Sequence, residues 1–435
     1  MAWLITGGAG YIGAHVVRDM LASGRQVVVL DDLSTGRADR LPAGVPLVKG
    51  SITDRRAVRR AVHHASGVTG VMHFAARKQV GESVQRPLHY WSQNVGGLQV
   101  VLEEMVEAGI AQMVFSSSAA VYGQPSLHSP LDQITEATPC APINPYGATK
   151  LAGEWMVAAT ARAHGWKALS LRYFNVAGAG SPELGDPAAL NLIPMVLEAL
   201  EEGRRPMVFG DDYPTPDGSC VRDYIHVSDL SAAHVAAARV VEAAHAGVTM
   251  RSPQEKVQHA AARAEQAATR LPGGSLAVEV ANQVPAAAEA AAALAKGSVP
   301  EAARVVERAS HLLPWPMGAL DSAVRGSASE LVAEVANQLG SLVARVAGVE
   351  EVPRLLDHLA VNIGTGRGYS VFEVIEALRA SVGDDFAVDL VDRRPGDPPA
   401  LVAAPHLAAG LLGWHARHDL ADITDSAWEA WRAAH

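Results

Sequence analysis

Two rhythms of apolar and polar positions alternate through the first 172 residues. Short apolar runs occur at Ala2-Trp-Leu-Ile5, Gln26-Val-Val-Val-Leu30, Pro46-Leu-Val48, Gly70-Val-Met-His-Phe74, Gln112-Met-Val-Phe115 and Ala168-Leu-Ser-Leu171. Between them, helical periodicity marks Ala14 to Ala22, Asp54 to His64, Leu98 to Ala108 and Pro145 to His164. Apolar runs read as buried strands, and their alternation with amphipathic helices predicts βαβ units and a Rossmann-type doubly wound parallel sheet. Ligands of such sheets bind beyond the carboxyl ends of the strands. A further helix ends near His245, and a strand-like run returns at Leu359-Ala-Val-Asn-Ile363.

Chemistry clusters where the strands end. The first strand runs into Thr6-Gly7-Gly8-Ala9-Gly10-Tyr11-Ile12-Gly13, which satisfies both G-x-G-x-x-G and G-x-x-G-x-x-G. Such glycines permit a tight turn and let backbone N–H groups approach a pyrophosphate at a helix N-terminus. The second strand ends in Asp31-Asp32, at the spacing expected for an acid on the adenosine ribose hydroxyls. An acid there favours NAD over NADP, with Arg37 nearby as a contrary sign. Phe74-Ala75-Ala-Arg-Lys78 and Ser116-Ser-Ser118 follow predicted strands and should face the same cleft. Tyr146 and Lys150 share a helix face, four positions apart. An ammonium close to a phenol stabilises the phenolate, so Tyr146 is a candidate general base, with Ser118 placed to share a hydroxyl proton.

Composition narrows the class without changing this picture. A net charge of -10 over 435 residues gives no support to nucleic-acid or anionic-membrane binding. Two cysteines, Cys140 and Cys220, make no disulfide framework and have no metal-ligand spacing around them, so no metal is expected. An apolar strand from residue 2 leaves no room for a signal peptide, and no run approaches the length of a membrane span. A cytoplasmic enzyme is expected.

Several longer stretches carry a family resemblance. Thr6 to Gly13, Val80-Gly-Glu-Ser-Val-Gln-Arg-Pro87, Ser116-Ser-Ser-Ala-Ala-Val-Tyr-Gly123, Tyr146-Gly-Ala-Thr-Lys150, Leu171-Arg-Tyr-Phe-Asn175, Phe209 to His226 and Arg393-Arg-Pro-Gly-Asp397 resemble the extended short-chain dehydrogenase/reductase family. Within it they are most similar to the 4-epimerases of UDP-hexoses, over roughly residues 1–247 and 353–435. The resemblance implies catalysis by Ser118, Tyr146 and Lys150, with Lys150 lowering the Tyr146 pKa and holding the nicotinamide ribose. It implies an NAD site formed by Gly7, Gly10, Tyr11, Ile12, Gly13, Asp31, Ile52, Phe74, Ala75, Lys78, Asn94 and Tyr173 together with Tyr146 and Lys150. For the UDP-sugar it implies Lys78, Ser118, Asn175 and Asn191, with Arg222 and Arg394 on the diphosphate and Phe209 and Asp397 at the uridine. A homodimer is implied as well. The expected division is 1–174 for NAD, 175–247 with 353–435 as a smaller α/β substrate domain, and 248–352 as an Ala-rich helical insertion.

Three departures accompany the resemblance. Ser51 stands where the pattern has an acid near the adenine, and Leu401 where it has a Tyr or Cys lining the hexose pocket. The insertion has no counterpart; we read helices at about 253–271, 277–295, 300–312 and 327–347, with Glu279-Val-Ala-Asn-Gln283 repeated as Glu334-Val-Ala-Asn-Gln338. A dimer or partner module, a lid and a tolerated surface insertion remain open for it. Related 4,6-dehydratases carry an Asp-Glu pair after the Ser/Thr; here Ala119-Ala120 follow Ser118, which argues against elimination chemistry.

Overall fold

The first apolar run forms β1 (Ala2–Thr6), buried along its whole length, and passes through the glycine turn into α1 (Tyr11–Ala22). The same unit repeats as β2 (Gln26–Asp31), β3 (Leu47–Lys49), α2 (Arg55–Val62) and β4 (Val68–His73). Asp54 caps α2 by accepting the Arg56 N–H, so the helical pattern begins one residue later than its first polar position. Short helices α3 (Val80–Gln85) and α4 (Pro87–Tyr90) lead through a π-helical turn, Trp91–Gly96, into α5 (Gly97–Glu107) and β5 (Gln112–Ser116). Next come α6 (Pro145–His164) and β6 (Lys167–Tyr173). The computed structural model describes residues 1–125, 132–186, 188, 190–247, 358–394 and 397–435.

The remaining elements are β7 (Asn175–Ala177), α7 (Leu192–Glu201), β8 (Met207–Phe209), β9 (Val221–His226), α8 (Val227–His245), β10 (Leu359–Ile363) and β11 (Gly368–Ser370). They are followed by α9 (Val371–Val382), β12 (Asp389–Val391), β13 (Ala400–Leu401), α10 (His406–Leu412) and α11 (Leu420–Ala434). Seven strands form one parallel sheet in the order β10-β6-β5-β4-β1-β2-β3. The order reverses between β1 and β4, which opens a crevice at their carboxyl ends. On one face α2, α5 and α6 bury Val58, Val101, Met105 and Val157 against Leu4, Val28, Val71 and Met113 of the sheet. On the other face α8 lies against α1, β5 and β6.

A smaller set of strands centres on β9, which pairs with β7, β11 and β13, while β8 pairs with β12. Tyr224, Ile193, Leu197, Val374, Leu378 and Ile423 form its core with α7, α9 and α11. The chain divides into two compact units, residues 1–246 with 355–435 and residues 247–354. The helices expected within 248–352 lie outside the described residues. One boundary differs from expectation. β10 pairs with β6 in the large sheet and α8 covers its face, although the sequence division places both with the smaller domain. Leu359 to Ile363 alternates too little to reveal which sheet it joins.

Candidate active site

The turn after β1 fits a dinucleotide because the backbone itself closes on it. Gly7 has φ +72, and a Cβ there would stand 2.8 Å from the Ala75 nitrogen. A Cβ on Gly13 would stand 2.2 Å from the Gly7 carbonyl oxygen. Tyr11 and Ile12 open α1, and their N–H groups have no acceptor inside the helix, which suits an anion. Asp31, at the end of β2, accepts the Ala9 N–H at 2.9 Å on one oxygen and the Leu33 N–H at 2.8 Å on the other. Each oxygen keeps a lone pair for a ribose hydroxyl. Arg37, the sign that pointed to NADP, is engaged by Asp39. The residues present therefore fit NAD.

Several residues expected around this cradle are engaged within the protein itself. The Tyr11 hydroxyl donates to the Gly178 carbonyl at 2.5 Å, tying α1 to the loop after β7. Asn94 accepts the Arg77 N–H at 2.7 Å and gives its two amide hydrogens to the Arg77 carbonyl and Thr149, both at 3.0 Å. It thus clamps the Phe74–Lys78 loop to α6. Ile52 is buried beneath Gly97, and the Ser51 and Thr53 hydroxyls share a hydrogen bond at 2.9 Å.

The candidate proton-handling groups stand at the start of α6. Asn144 caps the helix by accepting the Gly147 N–H at 2.9 Å, and Pro145 fixes its first turn. Tyr146 therefore lies in the first turn, where the helix dipole favours negative charge. Burial pushes its phenol above the ordinary value, and a hydrogen bond with Ser118 draws it back down. Lys150 is buried one turn on, with Nζ donating to the Ser116 carbonyl at 2.7 Å and lying 5.9 Å from the Tyr146 ring centre. Burial lowers Lys150 to about 8. The expected lowering of Tyr146 by Lys150 is thus corrected: burial dominates the phenol, and Ser118 supplies the opposing contact. Tyr173 completes the cluster through its hydroxyl, which bonds Ser116.

Among the residues expected at the substrate, Lys78 lies 4.0 Å from Asp186, which also accepts the Asn191 amide at 3.1 Å and the Ala188 N–H at 3.2 Å. Arg394 stacks its guanidinium over the Phe209 ring at 3.7 Å, and the Asp397 N–H reaches the Arg394 carbonyl at 3.3 Å. Arg222 of β9 is flanked in register by Tyr369 of β11 and Leu401 of β13. Asn175 opens β7, level with Tyr224. The structure thus joins the expected residues in local groups: Ser118 with Tyr146 and Lys150, Lys78 with Asn191 through Asp186, Phe209 with Arg394 and Asp397, and Arg222 with Leu401.

Residues that the motifs did not mark also belong here. His234 of α8 packs against Phe74 at 4.7 Å and Tyr173 at 6.2 Å between ring centres. His73 bonds Thr6 at 2.9 Å, and Glu154 sits one turn beyond Lys150. Position 154 continues the spacing 146, 150, 154, a signal present in the sequence.

The buried histidines make the fold acid-sensitive. Burial lowers His15, His226, His234 and His358 to about 4, and His73 to about 3, from an unfolded value of 6.5. The unfolded chain therefore binds more protons in that window, so stability is full above it and is lost as pH falls through it. The melting temperature should fall by several degrees from about pH 7 to about pH 5. A flat profile across that range would contradict neutral burial.

Comparison with known proteins agrees with this geometry. Residues 3–250 match the NAD dependent epimerase/dehydratase family. A UDP-glucose 4-epimerase from Streptomyces lividans is 36% identical over 438 aligned residues, which span 100% of this chain and 96% of the relative. The crystal structure of UDP-glucose 4-epimerase from Brucella ovis in complex with NAD superposes with a TM-score of 0.66 at 32% identity, covering 97% of this chain and 96% of that one. That of the enzyme from Stenotrophomonas maltophila, with bound NAD and formylated UDP-arabinopyranose, gives 0.68 at 28% identity over 100% and 98%. With its glycine cradle, Asp31 and the Ser118, Tyr146 and Lys150 cluster on a seven-stranded parallel sheet, the chain belongs to the NAD dependent epimerase/dehydratase family.

Proposed function

We propose that this chain inverts the C4 configuration of a UDP-hexose, interconverting UDP-glucose and UDP-galactose through a 4-keto sugar. The observation that carries this reading is Tyr146, bonded to Ser118 and one helical turn from a buried Lys150 at the mouth of a dinucleotide cradle. Gly7, Gly10, Tyr11, Ile12, Gly13 and Asp31 would hold NAD, with Ile52, Phe74, Ala75, Lys78, Asn94 and Tyr173 along it. When bound, NAD supplies reversible hydride exchange at the sugar carbon.

The residues handle the protons. Tyr146 takes the proton of the 4-hydroxyl and later returns it, and Ser118 orients that hydroxyl. Lys150, charged at neutral pH, would hold the nicotinamide ribose. Inversion requires the sugar to turn over, so binding strength must come from the nucleotide diphosphate. Arg222 and Arg394 supply guanidinium forks for its oxygens, Asn175 and Asn191 supply amides, and Phe209 with Asp397 would face the uridine. No carboxylate follows Ser118 in the turn Ala119–Val121, which disfavours a dehydratase.

Leu401, beside Arg222 in register, keeps a second reading in play. Its bulk lies between the large and small residues of the family pattern, so UDP-N-acetylhexosamine, UDP-glucuronate or a UDP-pentose is the alternative substrate. Incubation with UDP-galactose, UDP-N-acetylgalactosamine and UDP-glucuronate, followed by product identification, tests both. A C4-inverted product from UDP-galactose is expected; inversion of none would sink the epimerase reading.

Exposed Val84, Leu88, Trp91 and Trp155 crowd α3, α4, the π turn and α6, which pack together, and this supports a homodimer. Light scattering should give twice the mass of 45.6 kDa. Among the described residues no helix is long and apolar enough to cross a membrane. With two free cysteines this supports a cytoplasmic location.

A further inference from the structure

Behind the Tyr146 and Lys150 pair lies a buried ionic chain that the epimerase reading does not use. Glu154 and Arg172 are 3% and 7% exposed. Arg172 gives two hydrogen bonds to the Glu154 carboxylate, at 2.8 and 2.6 Å, and a third to the Tyr122 hydroxyl at 3.0 Å. Tyr122 in turn donates to Asn362 of β10 at 2.7 Å. Replacing a buried ion pair with apolar side chains is often neutral or stabilising, so stability alone gives no reason for this one.

Its geometry gives a reason. Glu154 accepts the Ser117 hydroxyl at 2.5 Å. Ser117 is the middle residue of the rung Ser116-Ser117-Ser118, whose first carbonyl holds Lys150 and whose last hydroxyl meets Tyr146. The Ser117 N–H is held separately by the Leu171 carbonyl at 2.9 Å. One carboxylate therefore grips the segment that positions both proton-handling groups. Glu154 also follows Lys150 by one turn on α6.

We propose that Glu154, anchored by Arg172, is a positioning residue of the proton-transfer site: it fixes the Ser116–Ser118 rung through Ser117 and sets negative charge one turn behind the Lys150 ammonium. This rests on the reading of Tyr146 and Lys150 given above. The groups facing Lys150 are Tyr146 and Glu154 of α6, His73 of β4, and the Phe115 ring and Ser116 carbonyl of β5, with Tyr173 of β6 bonded to Ser116 beside them. His73 stays neutral, being lowered to about 3, and the tyrosines are raised by burial. Glu154 is thus the anion that opposes the effect of burial on Lys150, and without it the ammonium loses its proton at lower pH.

The test uses the full-length enzyme with its NAD. Glu154→Gln keeps the side-chain shape and removes the charge. Its kcat on UDP-galactose should fall by ~10-fold or more with KM nearly unchanged. The alkaline limb of its kcat profile should move down by about one pH unit. Hydrogen–deuterium exchange should rise in the peptide spanning Ser116–Ser118 and not across the sheet. Ser117→Ala, which keeps every charge, should show the exchange and kcat changes with the limb unmoved. An unshifted limb in Glu154→Gln with NAD bound, or wild-type kcat and exchange in Ser117→Ala, would overturn the proposal. If Glu154→Gln does not fold, the double variant Glu154→Gln, Arg172→Met restores charge balance, and the same limb shift decides. A wild-type enzyme that inverts no UDP-sugar refutes the epimerase reading instead, and the exchange measurements then judge Glu154 on their own.

Discussion

Tyr146→Phe should lower kcat on UDP-galactose by roughly 10²- to 10⁴-fold while the purified protein still carries NAD. The change removes one oxygen from a buried residue of α6 and keeps the ring itself. KM should shift little, because the proposed diphosphate ligands Arg222 and Arg394 are untouched. Stability should change little, since the phenol is neutral at neutral pH in the folded and unfolded chain alike. Steady-state kinetics together with absorbance of released NAD would check this. Activity within a few-fold of wild type would remove Tyr146 from proton transfer and return the reading to Ser118 alone.

Gly13→Ala should abolish NAD retention and lower the melting temperature by several degrees. The added Cβ would lie 2.2 Å from the Gly7 oxygen and 2.8 Å from the Gly8 Cα. Both are backbone atoms, so α1 must lift away from the turn and cannot simply repack a side chain. Overpacking of this kind costs typically ~1–3 kcal/mol. The loss of cofactor removes the stabilisation that a tightly bound ligand adds to the folded state. Gly24, with φ +81 but open space around it, makes a useful contrast. Gly24→Ala should cost stability through backbone strain alone and leave NAD bound. Equal NAD loss in both variants would show that close approach at Gly13 is not what matters.

How far the sequence alone could reach depended on what each residue was doing. Strands buried on both faces, such as Val27 to Leu30, announce themselves as continuous apolar runs, and the glycine turn followed by Asp31 has its own fixed spacing. Tyr146 and Lys150 were legible because a helix converts a spacing of four into a shared face. Less could be read where tertiary packing decides. Leu359 to Ile363 looks the same whether it joins the large sheet or the small one, and only its pairing with β6 settles that. Asn94 carries no local hint that its amide is spent on Arg77 and Thr149. The sign of the Tyr146 shift was missed for a related reason: spacing shows which charge is near and is blind to desolvation. Glu154 lay on the same helical spacing as Tyr146 and Lys150, yet its meaning came from Ser117 and Arg172, which approach from β5 and β6.

The parallel pairing of β10 with β6 also orders events during biosynthesis. β6 ends at Tyr173, and its outer neighbour begins only at Leu359. Until the ribosome reaches that point, the backbone groups along one edge of β6 lack their partner strand, the condition under which chains add to one another. Some 185 positions separate Tyr173 from Leu359, so this is a long-range pairing. The penalty falls on time, because distant pairing slows the final step. With Asn362 arriving on the last strand, the hydrogen-bond chain behind Lys150 is sealed only when the nascent sheet gains its seventh member.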